Sequence, residues 1–185
     1  MTQRCFIAAI VPPPVKELAG RVIDDLAKMP QGNTLKLVRP EAVHITMHFL
    51  GDLTDEQVEE IQGMLTALTG HHHRSQLIAD RVSSFPNERT PRVVFLNCQE
   101  QKETVLSSAQ SSLKMALRQI NVPVEERHWQ PHVTLARATG PIKIDFSALR
   151  VSPLLFTVSE IQLMQSNLHP WGAEYKTIAS FPLAR

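Results

Sequence analysis

The chain has 185 residues, 43% of them hydrophobic, enough for a real core and too many for a disordered tail or linker. Nineteen Lys and Arg against eighteen Asp and Glu leave a formal charge of +1. That balance argues against a protein that neutralises many phosphates along a duplex, so any nucleic-acid substrate should be small or held at one end.

No apolar run approaches the ~20 residues of a membrane-spanning helix. The seven apolar residues 5–11 run into three prolines and read as a buried strand rather than a signal sequence. Cys5 and Cys98 have no C-x-x-C partner and do not suggest a disulfide scaffold. The expectation is a cytoplasmic protein without membrane association.

Residues 4–11 form the first expected strand, stopped by Pro12-Pro13-Pro14. Val15, Leu18, Ala19, Val22, Ile23 and Leu26 then fall on one stripe of a helix over 15–29. After a turn at 30–33 come a short strand at 35–38 and a bend at 39–41. Residues 44–50, HITMHFL, alternate like a strand, and Gly51-Asp52 is expected to end it. Thr54 and Gln57 have capping-box spacing for a helix running to about residue 68. Strands follow at 77–82 and 92–98, a long helix at 103–120, and strands at 132–137, 156–165 and 174–181. This order predicts an α+β or mixed-sheet fold.

His-Ile-Thr-Met at 44–47 and His-Val-Thr-Leu at 132–135 lie 88 residues apart, each on a strand that follows a helix and a short bend. An internal duplication of a β/α unit would produce this spacing and two pseudo-symmetric lobes, each giving one strand to a shared cleft. In a strand, residues i and i+2 share a face. His44 and Thr46 therefore point one way, as do His132 and Thr134, while Ile45, Met47, Val133 and Leu135 anchor the strands. Two imidazoles and two hydroxyls converging on one volume suit a tetrahedral phosphate. The hydroxyls hold its oxygens, and the rings, with an ordinary pKa of about 6.5, take up and supply protons.

The same histidines admit a rival reading as a zinc site, through the H-x-x-x-H spacings His44/His48 and His128/His132 and the run His71-His72-His73. Ile45 stands where a metalloprotease carries its glutamate, Pro131 breaks a helix over the second spacing, and strand residues four apart are about 13 Å from one another. The triple histidine follows Gly70 and reads as an exposed loop. His48 is either packed or a supporting neighbour of His44, and His128 and His169 read as structural or peripheral.

HITMHFLG (44–51) and PHVTLAR (131–137) resemble the paired H-x-T/S motifs of the two-histidine (2H) phosphoesterases, and more closely their RNA 2′,3′-cyclic phosphodiesterase branch, also known as 2′-5′ RNA ligases. RCFIAAIVPP (4–13), PRVVFLNC (91–98), Ser166 and WGAEY (171–175) extend the match over nearly the whole chain. The resemblance implies one bilobal α+β domain over 1–185, with antiparallel sheets lining a central cleft and helices outside. It also implies a monomer that hydrolyses 2′,3′-cyclic phosphate ends of RNA or nucleotides to 2′-phosphomonoesters, without metal or cofactor.

By position, the family makes His44 the proton donor and His132 the proton acceptor, although the sequence treats the two motifs almost symmetrically. Thr46 and Thr134 would bind phosphate oxygens. Arg137 closes the second motif; strict alternation aims it away from His132, while a bend at the strand end would bring it to the phosphate. Met47, Trp129 and Trp171 depart from the usual residues at their positions. Either Trp would pack or stack on a base, and Phe6 and Phe49 would line the cleft or fill the core. Two other functions stay open at this point: the reverse 2′-5′ ligation, and a nucleotide-binding module without turnover.

Overall fold

Ile45 of one His-x-Thr segment and Val133 of the other are antiparallel partners in a single sheet, and the chain is arranged around that junction. The computed structural model describes residues 2–30, 32–101, 105–169 and 172–185. Its strands are β1 (Thr2–Ala9), β2 (Leu35–Leu37), β3 (Ile45–Thr54), β4 (Ser75–Phe85), β5 (Val93–Glu100), β6 (His132–Ala138), β7 (Leu154–Val158), β8 (Glu160–His169) and β9 (Gly172–Pro182). Its helices are α1 (Pro13–Lys28), α2 (Asp55–Thr69) and α3 (Val105–Gln119).

The strands form a curled antiparallel sheet in the order β7-β4-β5-β6-β3-β1-β8-β9, with β2 beside β6. Four strands of that order lie on each side of the β3–β6 junction. The unit strand–helix–strand recurs as β1–α1–β3 and β5–α3–β6, and its final strands are the two that meet. This is the α+β arrangement that the matched motifs predict. The two sides of the sheet are not two halves of the chain, however: β8 and β9, from the C-terminal end, pair back onto β1.

The helices cover one face only. The six apolar stripe residues of α1 are its six buried ones, and they share one core with Ile45, Met47, Val133 and Leu135. α1 packs against β6 and β2, whereas α3 packs against β3, so each helix covers a strand from the other side of the junction. Burying a large aliphatic side chain stabilises by roughly 1.5–3 kcal/mol, and this shared core fixes the two sides against each other. α2 starts at the expected capping box, with Thr54 and Gln57 each bonding the other's backbone N–H. Glu100, at the end of β5, accepts from the N–H groups of Leu106 and Ser107 in the first turn of α3.

Two expectations need correction. Gly51-Asp52 does not end the strand; β3 runs on to Thr54 because Gly51 takes φ +76° at a register shift, where Cys5 pairs with Gly51 but Phe6 with Phe49. A left-handed glycine absorbs the extra residue and lets pairing continue. The expected strand over 156–165 is really two, β7 against β4 and β8 against β1, lying on opposite sides of the junction. Only Ser159 separates them, with no Gly or Pro to mark the crossing. The start of the helix expected at 103 and Trp171 lie outside the described residues.

A Cβ at Gly51 would meet nothing within 4 Å, so the cost of Gly51→Ala is purely conformational, roughly 1–2 kcal/mol. A thermal melt should show a lower Tm, by roughly 2–4 °C for each kcal/mol. An unchanged Tm would mean that the bulge does not need the left-handed backbone.

Candidate active site

His44 sits one residue before β3, and His132 opens β6. From the Ile45–Val133 pair, one step either way puts Thr46 across from His132 and His44 across from Thr134. Directly opposed side chains start about 4.5–5.5 Å apart and diagonal ones about 7–8 Å. The junction therefore interleaves the motifs, each imidazole facing the other motif's threonine, and the two rings are diagonal neighbours. All four side chains are partly exposed, while Ile45, Met47, Val133 and Leu135 are buried on the helix face.

The two rings are held alike. Nδ1 of His44 donates to the carbonyl of Ala42 at 2.8 Å, and Nδ1 of His132 to the carbonyl of Gln130 at 2.8 Å. A carbonyl oxygen only accepts, so the neutral rings carry their proton on Nδ1 and offer the Nε2 lone pair to the cleft. Aromatic walls fix the ring planes. Phe6 stacks on His44 at 4.9 Å and Tyr175 meets its edge at 5.3 Å, while Phe85 and Phe95 meet His132 at 5.0 and 5.2 Å.

Burial in these walls disfavours the imidazolium. His44 is pushed down to about 4, mainly by desolvation and then, against the Ala42 bond that favours its charged form, by the nearby charges of His132, Lys16 and Arg137. His132 is also lowered, by desolvation first and Arg137 as well, opposed by its bond to Gln130. Both rings are thus neutral at pH 7 in the free protein.

A bulge decides the fate of Arg137. Val94 pairs with Ala136 but Phe95 with Thr134, so Leu135 and Ala136 both turn into the core and Arg137 returns to the face of His132 and Thr134. Strict alternation, which aims it away, fails because of that extra residue. The first motif bulges at the same place: Ile7 pairs with His48 and Ala8 with Thr46, which buries His48 and exposes Phe49 at 57%. His48 bonds the carbonyl of Pro123 at 3.1 Å on the helix face. It is the packed alternative, and it cannot share a ligand with His44. Among the described residues, no three His, Cys, Asp or Glu side chains cluster to hold a metal ion.

Carbonyls freed by the first bulge are taken up by side chains. Trp129 Nε1 donates to the backbone oxygen of Thr46 at 2.9 Å and Gln110 Nε2 to that of Met47 at 3.4 Å. Trp129 is therefore a packing residue that ties the approach to the second motif onto the first. Phe6 is 2% exposed and forms the wall behind His44; Phe49 is open to the cleft. His128 is exposed, and His169 lies 3.3 Å from Glu174. Sequence reasoning missed Tyr175, Phe85 and Phe95, whose approach to the rings depends on strand pairings that no local pattern encodes.

It also missed a polar brace on one side only. Asn97, the strand partner of His132 and 2% exposed, donates to Asp80 at 2.8 Å and accepts from Gln130 Nε2 at 2.8 Å. Gln99 donates to the other Asp80 oxygen at 3.0 Å. Gln130 is thereby pinned at both its side chain and the carbonyl that holds His132. Asn97→Ala takes their partner from Gln130 Nε2 and from one oxygen of Asp80, both half-buried, at about 1–3 kcal/mol. It should lower Tm and slow turnover more than it raises KM; a variant as stable and active as the parent would remove the brace from the account.

The chain has clear relatives. Residues 10–95 match the family model of LigT-like phosphoesterases. A Bacillus subtilis protein named RNA 2′,3′-cyclic phosphodiesterase is 30% identical over 80% of this chain and 81% of its own. A protein of the same name from Methanothermobacter thermautotrophicus is 29% identical over 99% of this chain and its own full length. The crystal structure of TT0787 from Thermus thermophilus superposes with a TM-score of 0.79 at 26% identity, covering 97% of both chains. With two His-x-Thr strands paired at the centre of one curled sheet and relatives matched along nearly their whole length, the chain belongs to the LigT-like phosphoesterases of the 2H superfamily.

Proposed function

We propose that this protein hydrolyses the 2′,3′-cyclic phosphate at an RNA 3′ end, or on a nucleotide, to a 2′-phosphomonoester, without metal or cofactor. The observation that carries the reading is the interleaving at the junction: two neutral imidazoles present Nε2 on one side, each opposite a threonine hydroxyl of the other motif. A relative matched over its full length and another matched over 81% of its own carry the name of that activity.

In this mechanism Thr46 and Thr134 hold the non-bridging oxygens, and Arg137 offsets their charge. His132 Nε2 takes a proton from water as its oxygen attacks phosphorus. The bond to the 3′ oxygen breaks, and His44 Nε2–H protonates the departing oxygen, leaving a 3′-hydroxyl and a 2′-phosphate. The polar brace behind Gln130 supports the assignment of His132 as the base, because an anchored carbonyl steadies the imidazolium that forms. The family pattern gives His44 the donor role.

That role requires His44 to carry a second proton, which its free-state pKa of about 4 denies it at neutral pH. The substrate supplies the remedy. An anion placed against the ring favours the charged form, so the pKa rises on binding and the complex takes up a proton that the free protein lacks. Activity should consequently follow a bell-shaped pH profile, falling at high pH as His44 loses its proton and at low pH as His132 gains one.

Product analysis on an oligonucleotide ending in a 2′,3′-cyclic phosphate, with EDTA present, tests reaction, regiochemistry and metal together. The expected product is the 2′-phosphate, formed at an undiminished rate. His44→Ala and His132→Ala should each lose roughly 10²–10⁴-fold. Full activity in either variant, a 3′-phosphate product, or arrest by EDTA would overturn the mechanism.

A further inference from the structure

Beyond the reacting phosphate, the cleft carries a cationic pair that the mechanism does not use fully. β2 takes the place beside β6 that β3 leaves after the junction, and its register puts Lys36 directly across from Arg137. Partners in a ladder share a face. The flanking Leu35 is buried with the core while Lys36 and Arg137 are both exposed, so the lysine stands on the cleft face beside Arg137, on the edge of β6 that β3 also occupies.

Like charges directly opposed across two strands destabilise a sheet. Neither residue is among the ion pairs of the described residues, so nothing there relieves the repulsion. An anion lying between the two would.

We infer that Lys36 and Arg137 form a second phosphate seat, which takes the backbone phosphate one nucleotide upstream of the cyclic end, so that the preferred substrate is an RNA strand rather than a mononucleotide. The inference rests on the proposed phosphodiesterase reading. Its geometry follows the sheet: the reacting phosphate lies between the interleaved His and Thr side chains of β3 and β6, and further along β6 Arg137 and Lys36 stand side by side, one cross-strand step of about 4.5–5.5 Å apart. A terminal nucleotide carries its next phosphate on its 5′ side, so the chain enters over β2 with its 3′ end at the histidines. A near-neutral protein can do this, since two seated phosphates need only a local cluster of positive charge.

Lys36 is exposed, so Lys36→Ala and Lys36→Gln should both fold. The test compares kcat/KM for a 2′,3′-cyclic mononucleotide with that for a short oligoribonucleotide ending in the same group, in parent and variants. The variants should lose roughly three- to tenfold more on the oligonucleotide than on the mononucleotide, as expected for one lost phosphate contact. The salt dependence of oligonucleotide binding should weaken by about 0.7 in log–log slope. Equal losses on both substrates would reduce Lys36 to a general field effect, and no loss on either would remove the seat; both results overturn the inference. Failure of the parent to turn over either substrate would count against the phosphodiesterase reading instead. In that event, binding of a fluorescent 2′-phosphorylated oligonucleotide still decides whether Lys36 contacts the strand.

Discussion

One backbone pairing, Ile45 with Val133, makes this protein what it is. Among the described residues it is the only ladder step joining β3 to β6, and it lies at the middle of the sheet order. Because the two strands are antiparallel, the step sets each histidine against the other motif's threonine instead of its own kind. Slipping that register by one residue would send every side chain on one strand to the opposite face. The buried aliphatic residues behind it, with helices crossing from each side to the other, oppose such a slip.

Around this near-symmetric centre the two sides diverge, and the divergence gives the cleft a direction. Both motif strands bulge at the same point, but the residue each bulge returns to the cleft differs: the exposed aromatic Phe49 on one side and the cation Arg137 on the other. The histidine beside Arg137 is braced through Gln130, Asn97 and Asp80. The histidine on the Phe49 side hangs from Ala42, which has no polar side chain to brace it. A site that treats two imidazoles alike in tautomer but unlike in support is well suited to giving them opposite proton-transfer roles.

Much of this was legible in the sequence, because it depends on short-range periodicity. The stripe of α1, the capping box at Thr54 and the two His-x-Thr strands all obey local rules, and their spacing predicted a shared cleft. What escaped is non-local or aperiodic. Bulges break strict alternation, so His48 and Arg137 fall on faces that counting by twos gets wrong. The crossing at Ser159 lacks a turn residue, so β7 and β8 read as one strand. Tyr175, Phe85, Asn97 and Lys36 matter only through partners distant in the chain, which no local pattern encodes.

The central claim is that both rings flank one anion, and NMR titration of the histidine ring protons with a 2′-phosphorylated nucleotide tests it most directly. The account predicts that the signals of His44 and His132 shift together with a single Kd. It also predicts that the His44 pKa climbs from about 4 towards neutrality in the complex. Movement of one ring alone, or two rings saturating at different concentrations, would contradict it.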